Sequence, residues 1–334
     1  MKFGKQQKMK MTKTGMAQVL AWTAALVMVV PASPATQQEQ QGQGPVIRSE
    51  VTLVNLFATV RDKNHRVVTD LKQDDFKVYE DGREEKIAFF SKEMQLPITL
   101  GLLLDTSGSE QFMLGSIQDA GARFMHRVLK KGDEAMVISF DSDVDLLSDF
   151  TDDKAILDRA ISKARINIPG GGMIAGNPGP VGGSSNITGT ALYDAIYLAC
   201  GEKLNGEAGR KAIVIVTDAQ DEGSKVRLEE AVEAAQRTDT VIHVLLVADP
   251  RFGGNVGVAH RLTEDTGGRL IIVNSDKRME EAFDQISEEL RSQYTLGYYP
   301  TNTARDGKFR KIKVDMTNKD LKVLARKGYY APKS

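Results

Sequence analysis

Ile98-Thr99-Leu100-Gly101-Leu102-Leu103-Leu104-Asp105-Thr106-Ser107-Gly108-Ser109 sets the reading of this chain. A continuous apolar run of this length is expected of a parallel strand buried on both faces. It ends abruptly in a carboxylate and a short hydroxyl-rich turn. In open parallel sheets, ligands bind outside the carboxyl ends of the strands. One carboxylate and two hydroxyls at i, i+2 and i+4, on a turn that Gly108 lets tighten, can aim three oxygens at one point. Hard cations such as Mg²⁺ take that kind of oxygen shell. Alone the string is weak, because Ser and Asp also serve as helix caps.

Outward from this turn the pattern alternates. Phe112 to Leu129, Lys154 to Ala164, Ala191 to Leu204, Leu228 to Arg237 and Arg278 to Leu290 have helical spacing. Ala135 to Phe140, Ala212 to Thr217, Val241 to Val247 and Leu270 to Val273 read as buried strands. Strands alternating with helices predict a doubly wound, mostly parallel α/β sheet over residues 95–293. Two positions on the same rim as Asp105 add to its turn. Gly189-Thr190-Ala191 places a threonine hydroxyl at the start of a helix, and Ile213-Val214-Ile215-Val216-Thr217-Asp218 ends a second buried strand in a carboxylate.

With these three elements the sequence resembles the von Willebrand factor A family over residues 95–293. The resemblance implies a metal-ion-dependent adhesion site whose ligands are Asp105, Ser107, Ser109, Thr190 and Asp218. It implies Mg²⁺, with Mn²⁺ or Ca²⁺ as alternatives, and a coordination position left for an acidic group of a protein partner. Asp221 resembles an accessory acid behind the ligands. Ala219 stands where the wider family often has glycine, which predicts a stiffer loop. The flanks, Asp75 to Gly82 and Tyr294 to Pro300, resemble exported acidobacterial-type proteins related to this family.

Both flanks are β-like. Val54, Leu56, Ala58 and Val60 alternate with other-face positions. Phe76 to Tyr79 and Lys86 to Phe89 flank Asp81-Gly82, a dipeptide that favours a hairpin. After Gln293, Tyr294 to Tyr299, Phe309 to Val314 and Leu321 to Ala325 read as strands, with a turn at Asp306-Gly307. Each flank is only about 40 residues, near the lower limit for independent folding. The simplest arrangement is one β-sandwich-like domain, 51–94 with 294–334, into which the α/β domain is inserted. The other arrangement is two β extensions on the sheet edges.

Residues 1–50 read as a secretory leader and a linker. Five lysines through Lys13 precede an apolar run from Met16 to Val30, then Pro31 and small residues, with no acid before Glu39. Fifteen mostly apolar residues fall short of the ~20 that span a bilayer; the alternative is an uncleaved anchor. An exported location follows, periplasmic, cell-surface or secreted. Gln37 to Gly44 is too polar to build a core.

Composition excludes other classes. With 44 basic and 45 acidic side chains, no overall field recruits nucleic acid. Cys200 is the only cysteine, so no intramolecular disulfide forms, and its apolar neighbours predict a buried thiol. The four histidines form no metal pair, and His243 lies inside an apolar strand. No serine elbow or phosphate loop occurs. Pro169 to Gly189, with eight glycines and three prolines, is a long loop leading into Thr190. The chain therefore reads as a cation-dependent protein-binding module and not an enzyme. The alternative is an exported scaffold whose β domain makes the contacts; a metal-assisted hydrolase lacks its nucleophile and base.

Overall fold

The computed structural model describes residues 53–93, 96–166, 189–247 and 253–333. The leader, the linker and all but the end of the Pro169–Gly189 loop lie outside them. Six strands form the central sheet in the order β10-β9-β8-β5-β6-β7. β5 (Ile98–Asp105), β6 (Glu134–Phe140), β8 (Arg210–Thr217), β9 (Thr240–Val247) and β10 (Leu270–Val273) are parallel. All eight residues of β5 and of β9 are buried, which is why these segments carry no polar alternation. β7 (Val144–Thr151) pairs antiparallel with β6 at one edge. Its mixed polarity, with Asp145 and Asp149 turned to solvent, kept it out of the sequence pattern.

Helices cover both faces of the sheet. α1 (Leu114–Val128), α2 (Lys154–Ile161) and α6 (Asp276–Leu290) close one apolar cluster, with Phe124 against Phe283 at 4.9 Å. α3 (Leu192–Leu198), α4 (Leu228–Arg237) and α5 (Val256–Thr266) close the other. α3 runs into a π-helical turn, Ala199–Lys203, that seats Cys200 in this core. Burial pushes the Cys200 thiol up to about 12, so it stays a small protonated hydrophobe.

The flanking strands pair with one another across the sequence. β1 (Val54–Arg61) lies between β11 (Gln293–Tyr298) and β13 (Lys322–Leu324), and β11 pairs in turn with β4 (Ile87–Glu93). A second four-stranded sheet has the order β14-β12-β2-β3, with β12 (Phe309–Met316) between β14 (Gly328–Tyr330) and β2 (Phe76–Glu80), and β3 is Arg83–Glu85. Leu56, Ala58, Val60, Phe76, Val78, Tyr294, Leu296, Tyr298, Ile312 and Met316 share one core. One detail of the hairpin differs from expectation. Asp81 and Gly82, both at positive φ, close the turn onto Arg83–Glu85, whereas Lys86 to Phe89 departs into the other sheet. A two-residue turn pairs the residues that immediately flank it, so the nearer and more polar segment becomes the hairpin partner.

The tyrosine pairs divide by face. Tyr298 is buried and donates to Glu80 Oε2 at 2.7 Å, with Tyr329 donating to the same oxygen at 3.1 Å. Tyr330 packs on Phe309 and beneath the Arg237 guanidinium of α4, while Tyr299 is exposed.

Both ends of the α/β segment are tied at the amino-terminal edge of its sheet. The Arg210 guanidinium donates to the carbonyls of Leu96 (2.9 Å) and Leu290 (2.6 Å). Asp133 accepts from the Ile98 amide at 2.9 Å and pairs with Arg291. Asp105 therefore sits at the pole opposite these ties. Nearby, Glu289 of α6 is buried between Arg61 of β1 (3.0 Å) and Arg269. His243 of β9 is buried beside both arginines, and neither ring nitrogen has a hydrogen-bond partner.

This placement has a pH consequence. Burial first, then the Arg61 and Arg269 charges, push the His243 imidazole down to about 3. The unfolded chain therefore binds one more proton than the folded chain between that value and ~6.5, the ordinary histidine value. The contribution is nil above pH ~6.5, and stability falls below it by up to ~1.4 kcal/mol per pH unit. In urea unfolding between pH 7 and 4, His243→Leu is expected to show a shallower loss of stability than the wild type. Parallel slopes for the two proteins would contradict this placement of the charge.

Candidate metal centre

β5 delivers Asp105 to the carboxyl rim, fully buried. The chain then turns so that the Ser107 amide donates back to Asp105 Oδ1 at 2.9 Å. The Ser107 and Ser109 hydroxyls meet at 2.9 Å. A 3₁₀ turn over Gly108–Glu110, closed by the Glu110 amide on the Ser107 carbonyl (3.1 Å), folds the strand end into the approach to α1. The exposed Gly108 meets no other atom within 4 Å of where a Cβ would stand, so its role here is to ease the turn.

β8 lies beside β5 in parallel register and delivers two residues. The Thr217 hydroxyl donates to Asp105 Oδ2 at 2.5 Å and accepts the Ala219 amide at 3.0 Å. With the Ser107 amide on the other oxygen, both oxygens of Asp105 are held. Asp218 follows, buried, its carboxylate accepting the Gln220 amide (3.0 Å) and side-chain Nε2 (3.2 Å). Ala219 has φ of 59° and is fully buried. The expected stiffness thus takes a definite form: an alanine in a left-handed conformation that costs it roughly 1–2 kcal/mol and costs glycine almost nothing.

Thr190 is buried on the adjacent rim. Its carbonyl accepts the Glu222 amide at 3.1 Å, and the Ala191 amide donates to the carbonyl of Asp141, just past β6, at 2.5 Å. Asp221 Oδ1 accepts from the Tyr193 amide (3.1 Å) and the Ser224 hydroxyl (2.6 Å). It thereby fastens the start of α3, and Thr190 with it, to the loop after Asp218.

Two residues of the site were not singled out from sequence: Thr217 and Glu110. One carboxylate oxygen each from Asp105, Glu110 and Asp218 lie within 4.8 Å of one another, and all three residues are buried. Burial pushes the Asp105 carboxyl up to about 7, against the hydrogen bonds from Ser107 and Thr217, and the Asp218 charge adds to the rise. No lysine or arginine pairs with Asp105 or Asp218 among the described residues. Buried carboxylates are ordinarily paired with a cation or coordinate a metal. The hard oxygens of Asp105 and Asp218, with no basic partner among the described residues, fit a divalent ion.

Comparison with known proteins bears on the fold. Residues 100–220 match the model of the von Willebrand factor type A domain, and the chain carries a domain of that family. Among solved structures it is similar to proximal thread matrix protein 1 from the mussel byssus, with a TM-score of 0.50 and 15% identity over 64% of this chain and 51% of that one. It is also similar to the conserved hypothetical protein BatB from Bacteroides thetaiotaomicron (TM-score 0.44, 20% identity, 58% of this chain, 100% of that one). A third is a von Willebrand factor type A protein from Catenulispora acidiphila (TM-score 0.49, 10% identity, 84% of this chain, 74% of that one). At these identities the likeness concerns the fold. The chain spans about half the length of the mussel protein. No curated protein matches it.

Proposed function

We propose that the von Willebrand factor type A domain of this chain is a divalent-cation-dependent protein-binding module. Its ligands are Asp105, Ser107, Ser109, Thr190 and Asp218, and its ion in the cell is Mg²⁺. The observation that carries this reading is the pair of buried carboxylates at adjacent strand ends, within 4.8 Å and without a basic partner among the described residues. A divalent ion neutralises that pair. The serine and threonine hydroxyls add neutral oxygens and leave the bound ion able to take an acidic group from a protein partner. Thr217 and Gln220 hold the two carboxylates in place. The central sheet is the rigid platform, and the loops around Asp105 and Thr190 set which partner is accepted. A carboxylate bound to a cation stays ionised and is a poor proton donor, so the site serves binding and not catalysis.

In the same reading, residues 51–94 and 294–334 are one β domain interrupted by the α/β domain, and the protein acts outside the cytoplasmic membrane. Among the described residues no helix is long and apolar enough to cross a membrane.

The deciding experiment is capture of partners from the native cell envelope on the immobilised protein, with Mg²⁺ and with EDTA. Proteins retained only with Mg²⁺, and lost on Asp218→Ala, are the expected result. Retention of the same proteins in EDTA would mean that contacts elsewhere, such as the β domain, do the binding.

A further inference from the structure

Between the π-helical turn Ala199–Lys203, which continues α3, and the outer side of α4 lies a cleft of about 420 Å³. That is within the roughly 300–1,000 Å³ of small-ligand sites. A π-helical turn is wider than an α-helical one and is frequent at functional sites. Small residues face the space from both sides, Gly201 from the turn and Ala234 from α4. A side chain begun on Gly201 would meet the Tyr197 ring, at 3.8 Å, and no atom of α4 within 4 Å. Glycine thus leaves room that a larger residue would take, although glycine costs a helical position about 1 kcal/mol relative to alanine. Tyr197, one turn earlier, is 43% exposed at the edge of that room. β9 starts at Thr240, just after Arg237, so the cleft runs toward the amino-terminal edge of the sheet, away from Asp105.

The polar lining is held in place and balanced in charge. Arg237 pairs with Glu233 at 2.6 Å, and its guanidinium lies 4.0 Å from the centre of the Tyr330 ring. Glu230 accepts the Arg227 amide at 2.8 Å and pairs with the Arg227 guanidinium at 3.4 Å. Each carboxylate of the lining therefore already faces a guanidinium, and a charged ligand would have to compete with the partner in place. A wholly apolar ligand would strip water from these groups and from Asn205 without replacing its hydrogen bonds. The lining suits a neutral molecule with an apolar face for the Tyr197 ring and hydroxyls for Asn205, Glu233 and Arg237. A pyranose ring has both, since its axial C–H groups form an apolar face and its hydroxyls radiate from the rim. We infer that this cleft is a binding site for a neutral saccharide, separate from the metal centre and independent of its ion. Two separate sites on one domain let the module hold a glycan and a protein partner at once.

Saturation-transfer NMR on the full chain tests this, in EDTA and in Mg²⁺. Cellohexaose, maltohexaose and N-acetylated chitohexaose are the neutral probes, and fully deacetylated chitosan hexamer is the cationic control. The expected result is transfer to the ring protons of at least one neutral probe, equal in EDTA and in Mg²⁺. Gly201→Leu fills the cleft, and Tyr197→Ala removes its aromatic wall. Each should weaken binding by about tenfold or more, as expected for losing one aromatic contact. Gly201→Leu replaces a glycine in a helical turn, so its melting temperature should not fall. Tyr197 lies at the surface, so Tyr197→Ala keeps the test decisive if Gly201→Leu disturbs the fold. No transfer to any neutral probe overturns the inference, as does transfer that persists undiminished in both variants. Tighter binding of the cationic hexamer than of every neutral one overturns it too, since the cleft would then select charge. Transfer that appears only with Mg²⁺ would assign the saccharide to the metal centre and overturn it likewise.

Discussion

Asp105→Ala is expected to abolish the thermal stabilisation that Mg²⁺ confers on the wild-type protein. An ion that binds only the folded chain stabilises it by about 2.7 kcal/mol at a free concentration one hundred times its Kd. For a cooperative unit of this size, each kcal/mol moves the melting temperature by about 2–4 °C. A rise of several degrees on Mg²⁺ addition, absent in the variant, is the measurement. In the metal-free state two effects oppose each other. The substitution removes one charge from a cluster of buried carboxylates, and it leaves the Thr217 hydroxyl and the Ser107 amide without their acceptor. Relief of repulsion is worth about 1–4 kcal/mol at ~4 Å for effective dielectrics from bulk water to the protein surface. An unsatisfied buried group costs about 1–3 kcal/mol. The metal-free variant should therefore melt close to the metal-free wild type, so a lost response is not mistaken for a lost fold. Ser107→Ala and Thr190→Ala remove neutral ligands and should weaken the response without abolishing it. An Asp105→Ala protein that keeps the full Mg²⁺-dependent rise would place the ion elsewhere.

The same residues show how far the sequence carried. Asp105, Ser107 and Ser109 are legible because their geometry is local: an apolar run of strand length ends in an acid, and the turn follows at once. Asp218 and Thr190 needed one further step, the rule that parallel strands deliver their carboxyl ends to a common rim. Glu110 lay beyond both arguments. Written after Ser109 and before an apolar helix, it has the appearance of an exposed first-turn acid, and carboxylates are rarely buried. Only the 3₁₀ path of Gly108–Glu110 turns it inward. Thr217 was hidden for a different reason. Its hydroxyl faces Asp105 because β8 adjoins β5, and strand order within a sheet is not written in the period of either strand. Strand order also decided the β unit. Lys86 to Phe89 alternates as a hairpin partner should, yet it pairs with β11, more than 200 residues away in the chain.

Ending the chain at Gln293 should unfold the amino-terminal β segment, because its partners all lie beyond that point. β1 would lose both of its neighbours, β11 and β13, and β2 would lose β12. Five buried side chains of the shared core would go with them: Tyr294, Leu296, Tyr298, Ile312 and Met316. At roughly 1.5–3 kcal/mol for each large apolar side chain removed from water, the loss is comparable to the whole 5–15 kcal/mol margin of a typical domain. What remains is a set of short strands with unpaired edges and half a core, a combination that aggregates or is cleaved. The α/β segment has a different outlook. Its two apolar clusters are complete within residues 98–290, and Arg210 and Arg291 tie its two ends from within. Limited proteolysis of the truncated chain should therefore digest residues 51–90 and leave a resistant fragment of about 95–293. If residues 51–90 stayed resistant after truncation, each flank would be a self-sufficient extension of the sheet and the single interrupted domain would be ruled out.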